Sequence, residues 1–178
     1  MDDIVKAAMA RWAGVPDAFG WLRLDRRGKW WIKGSPVENP VISDFIQRNY
    51  ESDATGRWFF QNGPQRVFVE IDGAPWVVSA AADVNEPLLI THSDRRVRTV
   101  HRAFQDETGA LYLDTDLGPA IVDDRSLAAL ADHLGESPQG IRLMWREVPV
   151  PVQSLTRAAR GDILGFVAMP RPEPGQPE

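Results

Sequence analysis

Ile4, Val5, Ala8, Met9 and Trp12 recur at the spacing of one helical face. Asp2 or Asp3 can cap that helix, and Gly14 followed by Pro16 ends it, so an amphipathic N-terminal helix is predicted within residues 1–16. Beyond it the period changes to two. Trp21-Leu-Arg-Leu24 alternates as a strand, Asp25-Arg-Arg-Gly28 is a turn, and Lys29-Trp-Trp-Ile-Lys33 returns. Gly34-Ser35-Pro36 breaks the pattern. Asn39-Pro40 then has the chemistry of a helix start, with Ile42, Phe45 and Ile46 as the apolar stripe of a helix ending near Tyr50. After the turn Asp53-Ala-Thr-Gly56, strands over 57–61, 65–71 and 76–80 read as an antiparallel meander.

Residues 83–87 are a connector, followed by strands near 88–91 and 96–104. Asp106-Glu-Thr-Gly109 repeats the turn chemistry, and 110–114 is the returning strand. Gly118-Pro119 breaks again. Asp124 opens a helix bearing Leu127, Leu130, Ala131 and Leu134, with Gly135 at its end. Strands at 140–147 and 163–168 flank a helical turn around 154–160 opened by Ser154. The segment 170–178, PRPEPGQPE, is predicted to be a disordered Pro-rich tail.

The order hairpin, breaker, capped helix, Glu-Ser, strand occurs twice: from Asp25 through Glu51-Ser52 to Trp58, and from Asp106 through Glu136-Ser137 to Trp145. A unit of one helix and a small sheet leaves an apolar face that a second copy can cover. The predicted fold is therefore α+β: two related strand–turn–strand–helix–strand units, over 19–83 and 88–169, with antiparallel sheets packed on helices. The crease between units is then a natural pocket.

Charge narrows the partners. The 178 residues carry a net charge of -5, so nucleic acid is not an expected partner. A local exception is Arg96, Arg98 and Arg102, which would share one strand face beside Arg95 and His101. A solvated edge strand explains them most simply, and an anionic ligand or acidic partner is the functional alternative. The chain has no cysteine, which excludes disulfides, thiolate catalysis and Cys-ligated zinc and fits a reducing cytoplasm. Acids near the start stand where a signal peptide has bases, and no apolar run reaches membrane-spanning length, so a cytoplasmic protein without membrane partners is expected. Trp30, Trp31, Trp58, Trp76 and Trp145 lie in strand-like segments among apolar neighbours, which favours core packing over a stacking platform.

The segments GWLRLDRRGKWWIKGSP and WFFQNGPQRVFVEIDGAPWVV resemble uncharacterised bacterial proteins grouped as domains of unknown function. One such group has an Asp/Gly turn with Trp, a Gly-Ser-Pro, a helix, an Asp-x-x-Gly strand and a V-E-D-A-P-F/W-V hairpin. Val69-Glu-Ile-Asp-Gly-Ala-Pro-Trp-Val77 is the similar element here, with inserted residues. The resemblance covers the first half well and the second half in element order only. It implies a duplicated α+β fold and a ligand-linked regulatory role, and it brings no catalytic residues.

No catalytic or cofactor signature is present. His92, His101 and His133 have no metal-ligand spacing, and no nucleophile elbow, phosphate loop or dinucleotide fingerprint occurs. Neither a catalytic residue, a metal nor a cofactor is predicted. The candidate ligand site is the bend in WFFQNGPQRV. Asn62-Gly63 signals a tight hairpin, but Pro64 has no N–H to return to Gln61, so a wider loop is expected. That loop would present Gln61, Asn62, Gln65 and Arg66 beside Trp58, suited to a carboxylate or amide ligand, unless the side chains instead brace the loop. In the second copy, Leu143-Met-Trp-Arg-Glu147 runs on without such a cluster. The expected function is a non-enzymatic, regulatory module for a small ligand or protein partner. The alternative is an enzyme using Asp114, Asp116 or His92 in the cleft between the units; self-association through a sheet edge is a third possibility.

Overall fold

The computed structural model describes residues 1–12, 14–80, 87–138 and 140–173. Most of the connector expected at 83–87, and the part of the expected tail beyond Glu173, lie outside the described residues. The chain packs as two compact units. One comprises Met1–Asp25, Lys29–Asp72 and the stretch from Phe166; the other comprises Arg26–Gly28 and Gly73–Gly165. These bounds differ from the expected 19–83 and 88–169: the strand Trp76–Ala80, expected in the first unit, pairs in the second sheet.

In the first unit, helix α1 (Asp3–Arg11) precedes the strands β1 (Ala18–Leu24), β2 (Trp30–Ile32) and β3 (Ser35–Pro36). Helix α2 (Pro40–Arg48) follows, then β4 (Tyr50–Ser52), β5 (Trp58–Asn62) and β6 (Gln65–Ile71). Asn39 caps α2 as its sequence requires, accepting the Val41 N–H at 2.9 Å. The sheet order is β3-β2-β1-β6-β5-β4. In a flat sheet β2 and β4 would stand about 19 Å apart. Yet the Trp30 and Tyr50 rings meet at 5.1 Å, edge to face, so the sheet curls strongly around its aromatic core. Phe19 stacks on Phe68 at 4.7 Å within the same unit. Helix α1 is less embedded than its periodicity suggests. Val5 is its one buried residue, while Ile4 remains 75% exposed.

The second unit contains β7 (Trp76–Ala80), β8 (Leu89–Thr91), β9 (Val100–Gln105), β10 (Leu111–Thr115) and β11 (Gly118–Val122). The short helix α3 (Leu127–Leu130) lies between two single turns of 3₁₀ helix, followed by β12 (Leu134–Ser137), β13 (Gly140–Trp145) and β14 (Val148–Ser154). Helix α4 (Arg160–Leu164) occupies part of the segment where a strand was expected over 163–168. The sheet order is β12-β13-β14-β9-β10-β11-β7-β8. Its first six strands repeat the order of the other sheet: two hairpins, a helical crossover, then two more hairpins that bring the last strand beside the first.

The α+β architecture with antiparallel sheets packed on helices is therefore corrected. The protein is mostly β, with fourteen strands against four short α-helices among the described residues, and both sheets are mixed. Parallel pairs join β1 to β6, β9 to β14 and β7 to β11. Local turn chemistry reveals antiparallel hairpins, because two-residue turns make them. A parallel pair is closed by a long crossover and leaves no local mark in the sequence. Prolines concealed further strands. Pro149 and Pro151 sit in the part of β14 that pairs with β13, before β14 joins β9 at Val152, so their missing N–H groups face no second partner. Among the described residues no helix is long and apolar enough to cross a membrane.

The repeated Asp-x-Thr-Gly turns share one hydrogen-bond pattern. Asp53 Oδ1 accepts from the Thr55 N–H, the Thr55 hydroxyl and the Arg57 N–H at 2.9, 2.7 and 3.1 Å. Asp106 Oδ1 accepts the equivalent three from Thr108 and Ala110 at 2.9, 2.6 and 2.9 Å. Burial alone would raise the Asp53 pKa, but these donors and the Arg57 guanidinium outweigh it and hold it at about 2. The folded value lies below the unfolded one. The turn therefore contributes its stability above about pH 5, and that contribution fades as pH falls through 4 towards 2. Asp53→Ala is expected to cost roughly 2 kcal/mol at neutral pH and to flatten the acid limb of a stability-versus-pH curve; urea midpoints across that range check it.

Candidate functional site

The bend between β5 and β6 is a two-residue hairpin after all. Asn62 pairs with Gln65, leaving Gly63 and Pro64 at the centre. The expected wider loop assumed Asn62-Gly63 at the centre, which would demand an N–H from Pro64. The register instead shifts by one residue. Gly63 supplies the positive φ of +57°, and Pro64 stands where no N–H is needed.

This register separates the predicted ligand cluster. Gln61 and Arg66 pair across the strands on one face, with Phe59 and Phe68. Gln61 is buried and its Nε2 donates to the Gly63 carbonyl at 2.8 Å, bracing the turn. Arg66 grips Asp17 with Nε and a terminal nitrogen at 3.0 and 2.6 Å. Asn62, Gln65 and Trp58 belong to the other face. Trp58 is buried against Tyr50, with ring centres 4.9 Å apart. Gln65 Nε2 donates to the Pro16 carbonyl at 3.0 Å. Asn62 borders an apolar groove of about 250 Å³ whose walls include Trp21, Ile42 and Phe60. The structure thus gives most of these polar side chains internal partners and does not gather them around one space.

The arginines come together differently. In the second unit Arg95, Arg96, Arg98 and Arg146 line a cavity of about 760 Å³ with Asp116 and Leu117. Arg96 and Arg98 flank the fully buried Val97, which anchors the segment and leaves both arginines exposed. The preceding loop is tight. The Thr91 N–H donates to the Arg95 carbonyl, and the Arg95 N–H donates to the Thr91 hydroxyl at 3.1 Å. Arg102, expected on the same face, pairs instead with Asp114 on the neighbouring strand at 2.9 Å. The regular strand begins at Val100, so the spacing of Arg96, Arg98 and Arg102 along one strand does not hold.

Arg146 is the member that the sequence reading missed. It occupies, in the second repeat, the position that Gly63 takes in the first: Trp145 pairs with Val148, and Arg146 and Glu147 form the turn with φ of +47° and +69°. Side-chain packing sets two of the guanidiniums. Arg95 lies over the Trp76 ring at 5.2 Å and Arg146 over Trp145 at 5.4 Å. Each indole N–H is bonded to the cavity's own backbone, Trp76 to the Leu117 carbonyl at 2.6 Å and Trp145 to the Arg98 carbonyl at 3.3 Å. The Arg146 Nε is buried without a hydrogen-bond acceptor among the described residues.

Asp116 is the acidic counterweight, but its carboxylate is engaged. Oδ1 accepts the Arg98 and Thr99 N–H groups at 2.9 and 3.1 Å. Burial would raise its pKa; these donors and the Arg98 charge reverse that and hold it low. None of the four arginines has a carboxylate within ion-pair distance among the described residues, whereas Arg57, Arg66, Arg102 and Arg125 all do. His92 is bound into the scaffold: its Nδ1 accepts the Val77 N–H at 3.3 Å, and its ring lies beside Trp76. Among the described residues no group of three or more His, Cys, Asp or Glu side chains is placed to hold a metal.

Two solved structures are similar to the chain. A DUF1285 family protein from Silicibacter pomeroyi DSS-3 is 20% identical, with a TM-score of 0.60 over 85% of this chain and 94% of that one. A DUF1285 family protein from Shewanella baltica OS155 is 12% identical, with a TM-score of 0.48 over 66% of this chain and 92% of that one. At these identities the first likeness speaks to the fold alone. No curated protein matches the chain. The resemblance to domains of unknown function does hold, because a family match runs over residues 1–171: the chain belongs to DUF2944, described as "Protein of unknown function (DUF2946)".

Proposed function

We propose that the protein is a non-enzymatic binding module, regulatory in role, whose second unit accepts an anionic small molecule in the cleft of Arg95, Arg96, Arg98 and Arg146. One observation carries this reading. In a chain of net charge -5, four arginines line one cavity, none with a carboxylate partner among the described residues. Like charges repel when gathered, so an arrangement of this kind is stabilised by an anion that enters it. A volume of about 760 Å³ suits a small molecule.

Binding fits the surrounding chemistry better than catalysis does. The carboxylates whose pKa values are displaced, Asp53, Asp106, Asp116 and Asp123, are all shifted down, which suits fixed charge and turn bracing more than proton transfer at neutral pH. The absence of cysteine suits a cytoplasmic setting.

Thermal unfolding in the presence of multivalent anions tests the proposal. Pyrophosphate at about one hundred times its Kd should add about 2.7 kcal/mol to the stability of the native chain. The Arg96→Ala/Arg98→Ala variant, which removes two exposed side chains, should unfold normally without ligand and lose most of that gain. An equal gain in both proteins would refute the site.

A further inference from the structure

We infer that the arginine cleft is built for an oligophosphate, a ligand carrying at least two linked phosphate groups. The inference rests on the anion-binding reading above and specifies its ligand. Three observations lead to it.

The first is the number of donors. A guanidinium fork engages two oxygens side by side, so a single phosphate satisfies about two forks. The cleft has four arginines, twice what one phosphate can serve. The second is charge. Four guanidiniums against the carboxylate of Asp116 leave 4 - 1 = +3 in one cavity. Phosphate groups place up to about two negative charges on one tetrahedral centre, so a short phosphate chain matches that density within a small volume. Carboxylates carry one charge each and must be spread over a carbon frame.

The third is preorganisation. Arg95 and Arg146 come from separate segments, yet each lies on a buried tryptophan whose N–H is bonded to backbone lining the same cavity. Ordering these two side chains on binding therefore costs less entropy than ordering free arginines. Arg96 and Arg98 are exposed and free to close on the remaining oxygens.

Calorimetric titration of the full chain with orthophosphate, pyrophosphate, tripolyphosphate and citrate tests this. Pyrophosphate and tripolyphosphate are expected to bind at least about tenfold more tightly than orthophosphate or citrate. Arg146→Lys, which keeps the charge but removes the planar fork, should weaken pyrophosphate binding about tenfold or more. Arg96→Ala/Arg98→Ala should lower the salt dependence of binding, because fewer charges meet the ligand. Citrate binding as tightly as tripolyphosphate, with both lost in the double variant, would overturn the oligophosphate assignment and leave the anion cleft standing. No binding of any of the four anions, or binding unchanged in the double variant, would overturn both.

Discussion

Gly28→Ala should destabilise the second unit by about 2–5 kcal/mol, far more than the same change at Gly109. Both glycines close an Asp-x-x-Gly turn with positive φ, +76° and +82°. An alanine in that region carries roughly 1–2 kcal/mol of backbone strain. At Gly109 strain is the whole effect, since an added Cβ meets no atom within 4 Å. At Gly28 the Cβ would lie 2.5 Å from the Cβ of His92 and 3.6 Å from that of Val77. His92 cannot step aside easily. Its N–H donates to the Val77 carbonyl at 2.7 Å, and its Nδ1 accepts the Val77 N–H. Overpacking of this kind adds about 1–3 kcal/mol to the strain. Urea denaturation of the two variants separates the contributions. Equal losses would show that the close approach of Gly28 to His92 is not what the turn requires.

Trp76→Ala is expected to cost about 3–5 kcal/mol, the range for removing a large buried aromatic side chain. Trp76 is 2% exposed, in a strand flanked on both sides by β11 and β8. The residue also ties fold to site, through its N–H on the Leu117 carbonyl and its ring beneath Arg95. Trp76→Phe divides the roles. It keeps most of the apolar contact, removes the indole donor, and should cost about 1–2 kcal/mol in stability. Anion affinity in the same variant should fall as well, because Arg95 and Leu117 lose their common support. A Trp76→Phe protein that binds pyrophosphate like the native chain would show that this support is not needed.

Much of the local structure was legible because turn and cap chemistry is local. Asn39-Pro40 opened a helix, the Asp-x-x-Gly segments turned, and the strands beside them alternated as written. The errors have physical causes. Ser35-Pro36 and Gly118-Pro119 carry breaker chemistry, yet the first forms β3 and the second opens β11, at positions that proline tolerates. Gly135 was read as a helix end but lies in β12. Parallel pairing was invisible because its partners are distant in sequence, and with it went the mixed character of both sheets.

The site was legible in part for the same reason. Arg95, Arg96 and Arg98 are neighbours in the chain, so their density could be seen. Arg146 belongs with them only because β14 returns to lie parallel to β9, which sets the Trp145-Arg146 bend against the Arg98 backbone. Aligning the two repeats bend for bend would have pointed to it, since Arg146 stands where the first repeat has Gly63. The polar bend of the first repeat drew attention by its composition, but Gln61 and Arg66 there have partners within their own unit.

The most direct test is a pyrophosphate titration of the full chain followed through the arginine Nε–H resonances. Those of Arg95, Arg96, Arg98 and Arg146 are expected to shift together along one binding curve. Arg66 and Arg102, held by Asp17 and Asp114, should stay in place. Uniform small shifts at every arginine, or none at the four in the cleft, would contradict the account.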